Sequence, residues 1–506
     1  MLKWIVGSKV DHPLADLKQT RALIAGLPPY DSVRALEEVT GWLESLTGAE
    51  GFKLDRLFEV IDLLDTTGKN HHRKVVHDYL GMSRQQKFQE NKLWTCGYKF
   101  SKALGDSYVQ CLRLHESGAA GAAALRKQMP LVVARGLRSR ALQLKWTMLR
   151  YGLFDPVLWS SIGELYRHAE KGGYTDSPIT VYPGLHGSGT VRQDYLKIMM
   201  LWASSADVLP PLKQEIAERT VAQLAASFRL DNKPFAGAVY AFDPALNKPP
   251  VRLFGDATAA AGRHYFGPGD AGTRLTQALP ALDKSGKLPP DFNLGSTYPG
   301  DLLASVFRHL ASYWSGSPPS RLSERRAATA RITVVPGYFQ LIDELEREET
   351  DALNFSVSGA ESWVVENISE NGYGALVPAA TTDWIRVDEL IGVQLEGTQE
   401  WGIALVRRVM RDEQRQYHVG IEMISRAVTL VGVTHSAGRE AESGVLLSTT
   451  PDSHDEVALI MRAGRFDPSH SLDITLGDVR HVLTPRRMVD AGDDFDWARY
   501  QITRSA

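Results

Sequence analysis

Two cysteines in 506 residues, Cys96 and Cys111, are too few for a disulfide framework or a four-thiolate metal site. Such usage suits a reducing compartment. Long apolar runs are also missing. The opening Met-Leu-Lys-Trp-Ile-Val-Gly-Ser-Lys is too short for the core of a signal peptide. No stretch approaches the ~20 apolar residues of a membrane helix, and the longest candidate, Ile198 to Ala203, fits into an amphipathic helix. Charge of either sign is not in excess, and a net charge of −3 gives no general pull toward nucleic acid or anionic lipid. The chain has no Gly-x-x-x-x-Gly-Lys-Ser/Thr phosphate loop, nucleophile elbow or metalloprotease histidine pair. These absences predict a cytoplasmic protein that is not an enzyme, holds no metal or cofactor, and neither enters membranes nor binds nucleic acid.

What remains is a soluble globular composition, 43% hydrophobic and 23% charged, in a chain long enough for two to four domains. From the start to about Phe228 the apolar period is helical. Leu36, Val39, Leu43 and Leu46 share one face, with Asp31 and Ser32 placed to cap the first turn. Leu54, Leu57, Phe58, Ile61 and Leu64 repeat the pattern, and Gly68 reads as a stop. Further helices are expected at 75–80, 125–150, 159–170, 195–204, 212–228 and 302–314. No fixed repeat of 34 to 45 residues emerges. Residues 230–300, rich in Gly and Pro with short aromatic runs such as Val239–Phe242, read as an irregular insertion in this helical domain, 1–314. His71, His72, His77 and Asp78 read as surface or capping residues, and Arg135, Arg138 and Arg140 as a solvated helix face. The aromatics Trp94, Tyr98, Trp146, Trp159 and Trp202 read as helix packing.

Ser315-Gly316-Ser317-Pro318-Pro319-Ser320 is a linker by composition. Beyond it the period falls to two. Ile391, Val393 and Leu395, then Trp401, Ile403 and Leu405, then Tyr417, Val419, Ile421 and Met423 alternate with small or polar residues. Three such strands in ~35 residues mark a half-buried antiparallel sheet, and closure into a barrel removes its edges. Residues 435–444 read as a second linker before a C-terminal β-rich module, 445–506. The fold class expected is multidomain α+β, a helical domain followed by a small barrel and a further β module.

The segment Asn367-Ile-Ser369-Glu-Asn-Gly372 is entered by the strand Trp363–Glu366. It places an amide, a hydroxyl and a glycine close together between strands, where side chains fix the turn and spare donors face an anionic oxygen or a base edge. Upstream stands an arginine cluster, Arg321, Arg325, Arg326 and Arg331, leading directly into the strand Ile332–Val335. A planar guanidinium pairs bidentately with phosphate or with guanine O6 and N7. Arg407 and Arg408 on a later strand read as surface residues.

An Asn-x-Ser-x-x-Gly loop, an arginine cluster before the first strand and a late Val419-Gly420-Ile421 strand together resemble a PilZ domain, here over residues 321–432, about a fifth of the chain. The likeness does not extend to the helical part. It implies a six-stranded antiparallel barrel that binds cyclic di-GMP, with Arg321, Arg325, Arg326 and Arg331 clamping the ligand against Asn367, Ser369 and Gly372. The arm carrying the arginines would order on binding and relay the signal to a partner-binding helical domain. Family members act on motility, pilus or exopolysaccharide machinery, so a protein partner of that kind is expected. Two departures keep a second reading open, a barrel that serves as a scaffold without the nucleotide. The arginine spacing differs from the family's Arg-x-x-x-Arg placement, and an acidic run, 343–349, would repel a dianionic ligand unless held away.

Overall fold

Helices form where apolar residues recur every three to four positions and a small polar side chain stands at the first turn. The structure, a computed structural model, describes residues 11–82, 86–152, 155–184, 187–255, 259–317, 324–349, 359–377, 384–412, 414, 416–435, 441–447, 456–476 and 479–504. The chain divides into two compact units, Met1–Asp207 with Pro211–Pro319, and Val208–Pro210 with Ser320–Ala506.

The first unit holds α1 (Leu17–Ala25), α2 (Ser32–Leu46), α3 (Leu54–Leu80), α4 (Lys87–Glu116), α5 (Ala122–Leu125), α6 (Met129–Met148), α7 (Pro156–Gly172), α8 (Val191–Ala203) and α9 (Pro211–Gln223). The Asp31 carboxylate accepts the Arg34 N–H and caps α2 as its position suggests, and Leu36, Val39, Leu43 and Leu46 are wholly buried. Gly68 does not end a helix. It lies inside α3, where a Cβ would come 2.6 Å from the Phe100 ring, so the glycine lets α4 approach closely.

The packing overturns two surface expectations. Arg135 and Arg140 are 4% and 2% exposed, because α6 is packed against α4, α7 and α8. Arg135 pairs with Asp62 and Asp65, and Arg140 with Asp106, so the buried charges are compensated. Only Arg138 keeps partial exposure, against Asp194. His72 is likewise buried and accepts the Trp146 indole N–H at 2.9 Å. Burial, aided by nearby Lys145, depresses its pKa to about 3 and keeps it neutral. Cys96 and Cys111 are buried free thiols, pushed up to about 12 by desolvation.

Residues 229–267 form a small sheet, β1 (Arg229–Asp231), β2 (Tyr240–Phe242), β3 (Val251–Arg252) and β4 (His264–Gly267), in the order β1-β4-β2-β3. Helices α10 (Asp270–Ser285) and α11 (Gly300–Trp314) complete the unit.

The second unit contains two closed barrels. The first comprises β5 (Arg326–Pro336), β6 (Glu361–Ser369), β7 (Gly372–Val377), β8 (Leu390–Leu395), β9 (Trp401–Arg411) and β10 (Tyr417–Ser425), in ring order β10-β7-β6-β5-β8-β9. Ile332, Val334, Trp363, Val365, Ala375, Val419 and Ile421 are buried, alternating as a half-buried sheet requires. The second barrel comprises β11 (Thr429–His435), β12 (Glu442–Leu446), β13 (Glu456–Arg462), β14 (Leu472–Leu476), β15 (Val479–Ala491) and β16 (Phe495–Arg504), in ring order β11-β12-β13-β16-β15-β14. It starts at Thr429, which pairs with Leu446, so the stretch read as a second linker falls between two strands of one barrel.

The acidic run is not a loose insert but the C-terminal half of α12 (Gly337–Glu349), whose other face carries Tyr338, Leu341, Ile342 and Leu345. These join Val335, Leu390, Trp401, Ile403 and Leu405 of the first barrel and Val445, Ile460 and Phe495 of the second in one core. Tyr338 donates its backbone N–H to Asp494 at 2.7 Å and its hydroxyl to the Ser443 carbonyl. Gly337, at φ +76, sits where a Cβ would come 2.6 Å from the same Asp494 carboxylate. Among the described residues no helix is long and apolar enough to cross a membrane.

Candidate functional site

The Asn-x-Ser-x-x-Gly string is the tip of the β6–β7 hairpin. Ser369 pairs with Gly372, leaving Glu370 and Asn371 as the turn, and the Ser369 hydroxyl donates to the Gly372 carbonyl at 3.2 Å. The tip is held to β10 by the Met423 N–H, which donates to the Asn371 carbonyl at 2.9 Å. Arg426 donates to the Glu370 carbonyl at 2.8 Å and to the Tyr373 hydroxyl at 3.3 Å. At Gly372 a Cβ would lie 1.9 Å from the Ile421 carbonyl oxygen, so only glycine allows β7 and β10 to meet here.

Strand register then lines up one row across the barrel's outer face. Ala327 stands opposite Asn367, Asn367 opposite Gly374, Gly374 opposite Gly420, and Gly420 opposite Arg408. Paired residues share a face, so two adjacent glycines form a floor between an amide and a guanidinium. The Asn367 side chain covers the Gly374 end of this floor, 2.5 Å from where a Gly374 Cβ would stand, and leaves that glycine buried. Its Oδ1 is buried without a hydrogen-bond partner among the described residues. The Gly420 end of the floor, beside an amide and flanked by cations, suits a planar base with a phosphate beside it.

The arginines differ in placement. Arg325 precedes β5, yet its Nη2 lies 3.8 Å from where a Gly420 Cβ would stand, although β5 and β10 are not ring neighbours. Arg326 is exposed opposite Ile368, beside Asn367. Arg331 lies farther along, opposite Val364, and donates to Ser362 at 3.4 Å, apart from the turn. Arg321 is outside the described residues. The acidic run lies on α12, which begins only after the 11-residue β5 has ended, and its Glu346 accepts the hydroxyl of Ser443 from the second barrel.

Arg408 and Gly374 were not singled out as site residues in the sequence, although Arg408 faces solvent as expected. Strict alternation from Trp401, Ile403 and Leu405 continues to Arg407, but a register shift between Gly420 and Ile421 leaves Arg407 as the extra residue. Arg407 is tied to Glu422 at 2.6 Å and Asp388 at 2.8 Å. Two residues from Gly420, His418 contacts Glu366 at 3.2 Å and Asp412 at 3.1 Å. Burial works against its protonated form, but the two carboxylates prevail and raise its pKa.

Comparison with known families finds two matches. A model of the N-terminal domain of the cyclic-di-GMP receptor FimW matches residues 18–234, the helical region to which no motif had given a family. A model of that receptor's middle PilZ domain matches residues 345–429, a span that contains Asn367, Ser369, Gly372, Gly374, Arg408 and Gly420. No curated protein and no solved structure matches the chain. In sequence order, therefore, the chain is similar to the N-terminal domain and the middle PilZ domain of the cyclic-di-GMP receptor FimW.

Proposed function

We propose that this protein is a cyclic-di-GMP effector that holds the dinucleotide on the outer face of its first barrel. The observation that carries the reading is the convergence of Arg325 and Arg408 on Gly420, next to Asn367. A guanine lies over Gly420, with the Asn367 amide at its edge. The phosphates take Arg325 and Arg326, and Ser369 and Gly372 shape the turn below. Arg321 belongs to the same arm and adds a further cation to it, whereas Arg331, farther along β5, stands apart. Each bidentate guanidinium contact contributes about 1–3 kcal/mol.

The arm that supplies Arg321 and Arg325 is also the covalent link between the helical unit and the barrels. Ligand capture therefore restrains that link, and the helical domain passes the restraint to a protein partner, in keeping with the motility and pilus systems the family likeness implies. A population shift from 1:99 to 99:1 takes about 5.5 kcal/mol of differential binding, within reach of several arginine contacts. Calorimetric titration of the full chain with cyclic di-GMP tests the proposal. Saturable binding, weakened roughly ten- to a hundredfold by Arg325→Ala or Asn367→Ala, is the expected result. A flat trace for the native protein would leave the scaffold reading in its place.

A further inference from the structure

The two barrels are built alike. Numbering the strands of each from one to six, both close in the ring order 1-2-3-6-5-4. The likeness extends to single residues. In the first barrel the fifth strand carries Arg407-Arg408 at a register shift. Arg408 stands opposite Gly420, Arg407 is the extra residue, and Val406 stands opposite buried Ile421. In the second barrel the fifth strand carries Arg486-Arg487 at the same kind of shift. Arg487 stands opposite Arg499, Arg486 is the extra residue, and Pro485 stands opposite buried Tyr500. On the third strand Gly420 faces Gly374, and Arg499 faces Ala458.

The place of the glycine floor is thus taken by Ala458 and the Arg499 side chain, which leaves no bare surface for a base. The other cradle elements are also different. The backbone opposite Ala458 belongs to Leu447, whose N–H donates to the Ala458 carbonyl, where the first barrel has Asn367 opposite Gly374. Arg426, ahead of the second barrel's first strand, is bound to the first barrel's hairpin.

What the second barrel offers instead is charge. Arg487 and Arg499 are directly cross-strand on the outer face, an arrangement of like charges that costs stability. Arg486 lies next to them. Glu456 takes Arg499 at 3.0 Å and Gln501 takes Arg486 at 3.1 Å, whereas Arg487 has no ion pair among the described residues. Three guanidinium groups share one carboxylate on an open, convex strand pair. A pocket would favour a small anion, but an open cationic surface favours an extended one, which meets several guanidiniums at once. We propose that the second barrel is a duplicate of the first in which the nucleotide face has become a docking surface for an acidic protein segment, centred on Arg486, Arg487 and Arg499.

The test uses the full chain and a fluorescein-labelled oligoglutamate peptide followed by anisotropy. The native protein is expected to bind the peptide, less tightly as salt is added. The double variant Arg486→Gln, Arg487→Gln should weaken binding about tenfold while its dinucleotide titration and near-ultraviolet circular dichroism stay unchanged. Exchanging the exposed arginines of the helical unit, Arg34→Gln with Arg56→Gln, should leave peptide binding intact. The proposal is overturned if the native chain ignores the peptide, if both double variants lose it equally, or if cyclic di-GMP displaces it with a stoichiometry of two per chain. Because the first barrel's site is read by calorimetry in the same samples, failure of the acidic-segment proposal and failure of the nucleotide proposal are told apart.

Discussion

Glycine does two different things within the few residues of the site, and the difference is measurable. At Gly372 an added methyl meets the Ile421 carbonyl oxygen at 1.9 Å, so Gly372→Ala forces two backbone strands apart. It should destabilise the protein by about 1–3 kcal/mol, seen in chemical denaturation. At Gly420 the nearest atom to an added methyl is the Arg408 Cβ at 3.3 Å, on the outer face. Gly420→Val should leave the denaturation midpoint nearly unchanged and reduce dinucleotide affinity at least about tenfold, because the side chain stands where a base would lie. His418 supplies a second residue-scale prediction. Its pKa is raised in the folded protein, so the stability it contributes is complete below its unfolded value of 6.5 and fades as pH climbs through the higher folded value. The imidazole resonances should titrate above 6.5, and Glu366→Gln should move them back toward it.

Among the elements, α6 is where the sequence misleads most. Arg135, Arg138 and Arg140 look like a solvated face in a string of letters, yet Arg135 and Arg140 are buried, and so is Lys145. Nothing local distinguishes a cation that faces water from one that faces Asp65, Asp106 or Glu215, because the partners come from other helices. The period that reveals α2, by contrast, is local, and so is its Asp31 cap. Strands β8, β9 and β10 were legible for the same reason, but the shift that selects Arg408 over Arg407 arises from pairing and escapes any single-strand pattern. The buried pairs have a measurable acid signature. Desolvation would raise the Glu215 carboxyl, but Lys145 and Arg219 outweigh it and hold the pKa at about 2, against an ordinary 4.5. Its contribution is therefore present above about 4.5 and lost as pH falls through about 2. Unfolding free energies measured across that window should fall less steeply in Glu215→Gln than in the native protein.

For the whole molecule, the change of apolar period near residue 320 was enough to divide helices from strands, and the hairpin string, the arginine cluster and the late Val-Gly-Ile strand together were enough to suggest a ligand class. The duplication was not visible, since it lies in ring order and bulge position, and the two barrels share little residue by residue beyond the paired arginines. Nor did composition show that the barrels depend on each other. Tyr338, Leu341, Ile342 and Leu345 lie on the helix that joins β5 to the rest of the first barrel, yet they are covered in part by Val445, Ile460 and Phe495 from the second. The polar contacts on the same surface, Tyr338 to Asp494 and Ser443 to Glu346, also cross between them. A fragment of residues 320–428 would expose that apolar face to water, at roughly 25 cal/mol for each Å² uncovered, and remove the Ser443 groups that the Tyr338 hydroxyl and Glu346 contact. It should bind a hydrophobic dye and lack a cooperative thermal transition, whereas residues 320–506 should unfold in one step by both tryptophan fluorescence and circular dichroism. Two separated transitions in the longer fragment would mean that each barrel supports itself. The dinucleotide site would then be free to respond without its neighbour, and the shared core would have no part in passing the signal on.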